Sequence, residues 1–308
     1  MYVHIPFCKV KCRYCAFAVF PGLRKETVRY IHALQKEMSF HNGLKIDTLY
    51  FGGGTPSLLT AENWAQIFSA AKTQFSFAPG TEITIECNPE NIGIDLLGRF
   101  RVEGVNRLSI GLQSSDDDIL KRIGRTHTFA DFSKAWRLCR ENGFDNLSVD
   151  LIMGLPGQTH AKWQETLRRV LDLSPEHLSL YPLDIEKKSA FYFDGVTADQ
   201  ELQADLYEWS AEQLASRGYE HYEICSFALP GRKCRHNLKY WRNEPCLGIG
   251  VSAAGYDGTV RYKNMDKFWD YVKTVESGKP PVEEQETLAP AEQLREQLVE
   301  PGVREHRE

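Results

Sequence analysis

Three cysteines fall within eight residues in "CKVKCRYC", at positions 8, 12 and 15. Disulfides consume cysteines in pairs and a closed zinc site takes four ligands. Cys8, Cys12 and Cys15, spaced CxxxCxxC, instead suit a cubane iron–sulfur cluster held through three of its four irons. Thiolates are the natural ligands of such a cluster, and its fourth iron stays open to a small chelating molecule. The alternative is a zinc site completed by a distant ligand, with Cys87, Cys225, Cys234, Cys246 or His236 as the candidates. His4, Phe7 and Tyr14 flank the triplet, placed either to shield a cluster and stack on a ligand or simply to pack.

Further groups stand at comparable places. "YFGGGTPS" at 50–57 follows an apolar run and contains Gly52, Gly53 and Gly54, which let the backbone approach a ligand and offer amide donors to an anion. It is neither GxGxxG nor a Walker loop, and a bare turn is the competing reading. Glu86, Gln113, Arg125 and Asp150 bring carboxylates, an amide and a guanidinium fork, the groups that hold ribose hydroxyls, an amine and a carboxylate. In "RHNLKYW" at 235–241, His236 is open to two readings: an axial ligand to haem iron with Tyr240 and Trp241 against the macrocycle, or a hydrogen-bonded structural histidine.

The elements that must position these groups follow from periodicity. "YVHIP", "IDTLYFGG", "EITIEC", "NRLSIGLQ", "NLSVDLIMGLP" and "HLSLYPLDI" read as strands, separated by segments of helical period such as 24–40, 60–76, 129–142 and 160–173. This βαβ rhythm predicts an α/β fold around a parallel sheet. Strand ends carry the cysteines, the glycine run, Glu86 and Gln113, with Asp150 and Tyr181 in the last two strands, so these groups are expected to meet at one mouth. A helix is expected near 198–217, and residues 218–277, rich in glycine and aromatics, read as further strands and loops. From 278 to 308 the chain is charged and interrupted by proline, with "AEQLREQL" its one helical fragment.

At 308 residues and 42% hydrophobic content the chain can bury a large core, and its net charge of −5 gives no overall attraction to nucleic acid or anionic lipid. No apolar run has the length of a membrane span and the start lacks the pattern of a secretory signal, so a cytoplasmic location is expected. In that reducing compartment the eight cysteines are thiols or metal ligands.

In this order, "YVHIPFCKVKCRYC", "YFGGGTPSLL", "IECNPE", "RLSIGLQS", "VDLIMGLPGQT" and "CRHNLKYW" cover residues 2 to about 264. Together they resemble the radical S-adenosylmethionine (SAM) superfamily and, within it, the oxygen-independent coproporphyrinogen oxidase-like group. The resemblance implies an incomplete (β/α)6 barrel, here with additional C-terminal strands, and residues 1–217 as the core barrel. It implies that Cys8, Cys12 and Cys15 hold a 4Fe-4S cluster whose open iron chelates SAM, and that electron transfer splits SAM to a 5′-deoxyadenosyl radical. Tyr2, Gly53 and Glu86 match contacts to the chelated SAM, and Gly54, Thr55, Gln113, Arg125 and Asp150 are the other positions of the pattern. In the dehydrogenases of the group several of these, with the aromatic at the position of Tyr14, contact a second SAM.

Two features separate the branches of this group. The dehydrogenases, which decarboxylate coproporphyrinogen III, carry a further cysteine two residues after the third, where this chain has Phe17. His236, Asn237, Tyr240 and Trp241 are similar to the HNxxYW motif of the haem chaperones, which implies that His236 ligates haem and that haem passes to target haemoproteins. The alternative is an oxygen-independent coproporphyrinogen III oxidase or another tetrapyrrole-modifying enzyme, towards which "VSAAG" at 251–255 leans. SAM cleavage would imply an electron donor of the flavodoxin kind, and a homodimer is a further expectation. Residues 278–308 would be the remnant of a truncated C-terminal domain.

Overall fold

In the six strand runs polar and apolar residues alternate, so one face of each strand is apolar and the other is not. Ile83, Ile85 and Cys87 are buried on one side of the third run, whereas Glu82, Thr84 and Glu86 point to the other. The computed structural model, which describes residues 1–289, turns this pattern into a curved sheet with helices on its convex side. The chain runs through β1 (Tyr2–Ile5), α1 (Thr27–Ser39), β2 (Lys45–Gly53), α2 (Ala61–Gln74), β3 (Ser76–Cys87), α3 (Ile94–Glu103) and β4 (Arg107–Gln113). It continues through α4 (Asp117–Arg122), α5 (Phe129–Glu141), β5 (Leu147–Met153), α6 (His160–Leu171) and β6 (His177–Pro182). These six strands are parallel neighbours in sequence order.

The remaining elements close the edges. After α7 (Ala190–Phe193) and α8 (Gln200–Ala215), β7 (Glu220–Glu223) and β8 (Ser226–Ala228) add antiparallel strands beyond β6. Next come α9 (Arg235–Trp241) and then β9 (Gly248–Ile249), which pairs in parallel with β1. The sheet order is β7-β8-β6-β5-β4-β3-β2-β1-β9, an open nine-stranded sheet and thus an incomplete (β/α)6 barrel with additional C-terminal strands. Then β10 (Ala254–Tyr256), β11 (Val260–Asn264), α10 (Phe268–Glu276) and β12 (Val282–Thr287) follow, the three strands forming a separate antiparallel sheet.

Two expectations are corrected here. The segment "RHNLKYW" is a helix, because Glu82 of β3 caps its amino end: the carboxylate accepts from the amides of Arg235 and His236, both at 3.0 Å. Residues 282–287, read as part of a charged tail, are an edge strand paired with β11. The fragment "AEQLREQL" lies outside the described residues.

The apolar core lies between sheet and helices. Phe51 of β2 meets Trp64 and Phe68 of α2 at ring separations of 4.8 and 5.3 Å, and Trp64 meets Phe100 of α3 at 5.4 Å. Side-chain caps from Thr60, Asp116, Thr128, Thr159 and Asp199 start α2, α4, α5, α6 and α8. Among the described residues no helix is long and apolar enough to cross a membrane.

A buried carboxylate joins the C-terminal elements to the barrel. Glu37 of α1, 1% exposed, accepts from Asn264 Nδ2 at 2.6 Å, from the Gly250 amide at 2.8 Å and from Tyr271 Oη at 2.5 Å. Burial outweighs these donors and pushes the carboxyl up to about 7. The folded state therefore binds this proton more tightly than the unfolded chain, so the contribution to stability is lost as pH rises from the ordinary glutamate value through 7. Glu37→Gln is expected to gain on wild type by on the order of 3 kcal/mol across that window, read by urea unfolding at pH 5 and pH 8. An identical stability difference at the two pH values would refute the assignment.

Candidate functional site

The loop from residue 6 to residue 20 hangs from the carboxyl end of β1 and is tied at both ends. The Phe20 amide donates to Pro6 O at 2.8 Å, and His4 Nε2 bonds Ala18 O at 3.0 Å. The other ring nitrogen, Nδ1, takes Tyr2 Oη at 3.0 Å, and burial holds the imidazole down at about 4, hence neutral. With Nε2 donating to the carbonyl, Nδ1 is the acceptor and Tyr2 the donor. In mid-loop, the Arg13 amide reaches Ile123 O at 3.0 Å, the Phe191 amide reaches Arg13 O at 2.9 Å, and Arg13 pairs with Asp194 at 2.5 Å. Tyr14 packs against the small apolar cluster of Ile119, Leu120, Ile123, Ile152, Leu155, Leu183 and Phe191.

The three cysteines line this loop, Cys8 buried, Cys12 and Cys15 partly so. Several donors aim at their sulfurs: Thr55 Oγ1 lies 3.4 Å from Cys8 Sγ and Arg125 Nη1 lies 3.9 Å from Cys12 Sγ, while the Tyr14 hydroxyl also bonds Cys12 and the Phe17 amide bonds Cys15. Burial pushes the Cys8 thiol up to about 11 and raises Cys15 as well, so a thiolate state here calls for positive charge at the sulfurs. Three thiols in one loop with hydrogen-bond donors behind them fit the thiolate set of an iron–sulfur cluster. Among the described residues no three His, Cys, Asp or Glu side chains gather as a ready site for a single metal ion.

The glycine run works differently from the sequence expectation. Its amides are taken by the protein: Gly53 N donates to Glu86 Oε2 at 3.1 Å, Gly54 N to Ile5 O at 2.8 Å and Thr55 N to Phe7 O at 2.8 Å. They are not free donors for an anion. What demands glycine is close approach. A Cβ on Gly53, whose φ is +107°, would lie 2.4 Å from the His4 ring, and one on Gly54 would lie 2.7 Å from Phe7 O.

Around this frame the strand ends converge as expected. Glu86 accepts from Tyr50 Oη at 2.9 Å as well as from Gly53; loss of water and the nearby Asp150 charge push it up to about 7 despite both donors. Asp150 is held by Ser109 Oγ at 3.1 Å from each oxygen, and burial raises it too. Gln113 sits at φ +72°, a left-handed conformation unusual for a side chain of this kind, where the β4–β5 register shifts. Arg125 is anchored by Gly111 O at 2.6 Å and Asn88 Oδ1 at 3.0 Å, while its buried Nε finds no hydrogen-bond partner among the described residues. A buried guanidinium with an idle donor fits a carboxylate ligand.

His236 does not share this mouth. It projects from α9 into the concave face beside Thr48 and is 1% exposed. Thr48 Oγ1 lies 2.9 Å from Nδ1 and Tyr240 Oη lies 3.1 Å from Nε2. Its ring stacks on Tyr50 at 5.0 Å and on Tyr2 at 6.5 Å, so one aromatic layer separates it from Glu86 and His4. Burial holds it well below its ordinary pKa, in the neutral form that ligates metals. The sequence reading missed Asn88, Tyr50, Glu82 and Ser109; their signal was the polar half of the strand alternation.

The profile of the radical SAM superfamily matches residues 2–170. The chain is 35% identical over 302 residues to the protein named heme chaperone HemW of Lactococcus lactis, covering 96% of this chain and 79% of that one. It is 33% identical over 307 residues to HemW of Bacillus subtilis, with 96% and 81% covered. Among solved structures, coproporphyrinogen III oxidase (HemN) from Escherichia coli, described as a radical SAM enzyme, superimposes with a TM-score of 0.86 at 25% identity. The match covers 97% of this chain and 74% of that one.

The packing of Gly53 against His4 makes a direct prediction. Gly53→Ala is expected to cost about 2–3 kcal/mol through its positive φ and the contact with the ring. Gly22→Ala, where a Cβ meets nothing within 4 Å, is expected to be near neutral. Equal melting temperatures for the two variants would show that Gly53 is not demanded by the loop.

Proposed function

Since this chain belongs to the radical SAM superfamily and, within it, to the family of the heme chaperone HemW, we propose that it is a haem chaperone that binds haem, SAM and a 4Fe-4S cluster and hands haem to haemoproteins. Cys8, Cys12 and Cys15 would hold the cluster. When bound, it supplies one electron and an open iron for the amino and carboxylate groups of SAM. Around that position Arg125 offers its idle Nε to a carboxylate, and Glu86, beside Tyr2 and Gly53, offers an acceptor for an amine. Gln113 and Asp150 would partner ribose hydroxyls, and Gly54, Thr55 and Tyr14 would close the cradle. SAM cleavage would draw its electron from a donor of the flavodoxin kind, and a homodimer belongs to the same proposal.

The observation that carries the haem reading is the seating of the HNxxYW helix one aromatic layer behind Glu86, with a neutral imidazole whose Nε2 is met by the hydroxyl of Tyr240. Tyr240 is 47% exposed, so its outward swing would open Nε2 to iron while Thr48 keeps the ring oriented through Nδ1. Phe17, 67% exposed where a fourth nearby cysteine would mark a dehydrogenase, argues in the same direction. The second reading, a coproporphyrinogen III oxidase, is favoured by the likeness to the Escherichia coli enzyme.

Anaerobic reconstitution is expected to give a brown protein with about four iron and four sulfide per chain, lost on Cys12→Ala. On that sample haem titration is expected to raise a Soret band that His236→Ala weakens at least tenfold in affinity. Tyr240→Phe is expected to keep the band and speed its appearance. A Soret titration indifferent to His236→Ala would sink the ligand assignment. Turnover of coproporphyrinogen III with stoichiometric SAM cleavage would move the protein to the second reading.

A further inference from the structure

Asn88, directly after β3, has no part in the contacts above except as a partner of Arg125, yet it occupies the centre of a chain that ends on two cysteines. Its Oδ1 lies 3.0 Å from Arg125 Nη2, and its Nδ2 lies 3.4 Å from Thr55 Oγ1. Beyond them, Arg125 Nη1 points at Cys12 Sγ and Thr55 Oγ1 at Cys8 Sγ. The polarity of this chain has one solution. A guanidinium only donates, so the amide oxygen faces Arg125 and the amide nitrogen faces Thr55. That nitrogen only donates, so the Thr55 oxygen accepts from it and its own proton is released towards Cys8 sulfur.

The backbone holds Asn88 in place for this. Its amide donates to Ser57 Oγ at 3.0 Å, and Pro89 restricts it to the extended region, where it sits at φ −94°, ψ 139°. Arg125 has a second anchor on Gly111 O, so its fork is oriented from two sides.

We propose that Asn88 is a positioning residue that raises the reduction potential of the iron–sulfur cluster by aiming two hydrogen-bond donors at the sulfurs of Cys8 and Cys12. This rests on the reading of the loop as a cluster site. Hydrogen bonds to ligand sulfur withdraw electron density from the iron and favour the reduced state.

The test is a potentiometric titration of the reconstituted protein followed by EPR, with iron and sulfide content measured on the same samples. Asn88→Leu keeps the bulk and removes both polar ends; its midpoint is expected to move to a more negative value with iron content unchanged. Asn88→Asp still accepts from Arg125 but turns the Thr55 proton away from Cys8 and adds charge, so it is expected to shift further in the same direction. Thr55→Val should reproduce part of the Asn88→Leu shift, and Thr55→Ser should leave the midpoint at wild type. A wild-type midpoint in a fully loaded Asn88→Leu protein overturns the proposal. So does failure of both Asn88 variants to load iron, since the residue would then serve the fold of the loop. A wild-type protein that assembles no iron–sulfur cluster would instead sink the reading of the site.

Discussion

The constraint on which this structure depends is that the concave face of its sheet is polar. Tyr2, His4, Thr48, Tyr50, Glu82, Thr84, Glu86, Arg107, Ser109, Ser148, Asp150, His177 and Ser179 occupy inward positions along β1 to β6. Many barrels fill this space with branched apolar side chains; here each group needs a partner or the fold pays its desolvation. The partners come largely from one another and from the C-terminal insertions. Ser148 Oγ meets His177 Nδ1 at 2.8 Å, His177 Nε2 meets Tyr222 Oη of β7 at 2.7 Å, and that hydroxyl takes the Cys234 amide at 3.1 Å. Residues after β6 thus complete a polar interior that the six strands leave open.

The same face serves two levels of the shell. At the carboxyl ends of the strands the polar side chains face a cysteine loop; lower down, the same strands receive the helix that carries His236. Tyr50 belongs to both levels, with its hydroxyl on Glu86 and its ring against the imidazole. Such sharing leaves little slack in the backbone. The left-handed Gln113 and the tight Gly53 lie where the wall must turn from strand to loop.

Much of this was legible in the sequence, and what was not had physical causes. Strands β1 to β6 and helices α1, α2, α5, α6 and α8 announce themselves by period, because each has one face in the core. The convergence of the cysteines, Glu86, Gln113 and Asp150 followed from strand order alone. Helix α9 did not, since its seven residues carry no side-chain cap of their own and its amino end is held by Glu82, more than a hundred residues earlier. Strand β12 was hidden in the same way: "VEEQET" carries three glutamates in six residues, is exposed on all but its first residue, and acquires its structure by pairing with β11. The glycine run was located correctly and its role misjudged, because spacing does not tell whether an amide is spent on a ligand or on the neighbouring strand.

The place of β1 in the sheet has a consequence for assembly. It lies between β2 and β9, and the Tyr2 amide is bonded to Leu247 O at 2.8 Å. The cysteine loop therefore grows from a strand whose second neighbour is among the last parts of the barrel to leave the ribosome. Until that late segment docks, the N-terminal strand is an edge and the loop it carries has only half its support. Early and late elements of the described barrel are thus joined at the strand that carries the loop.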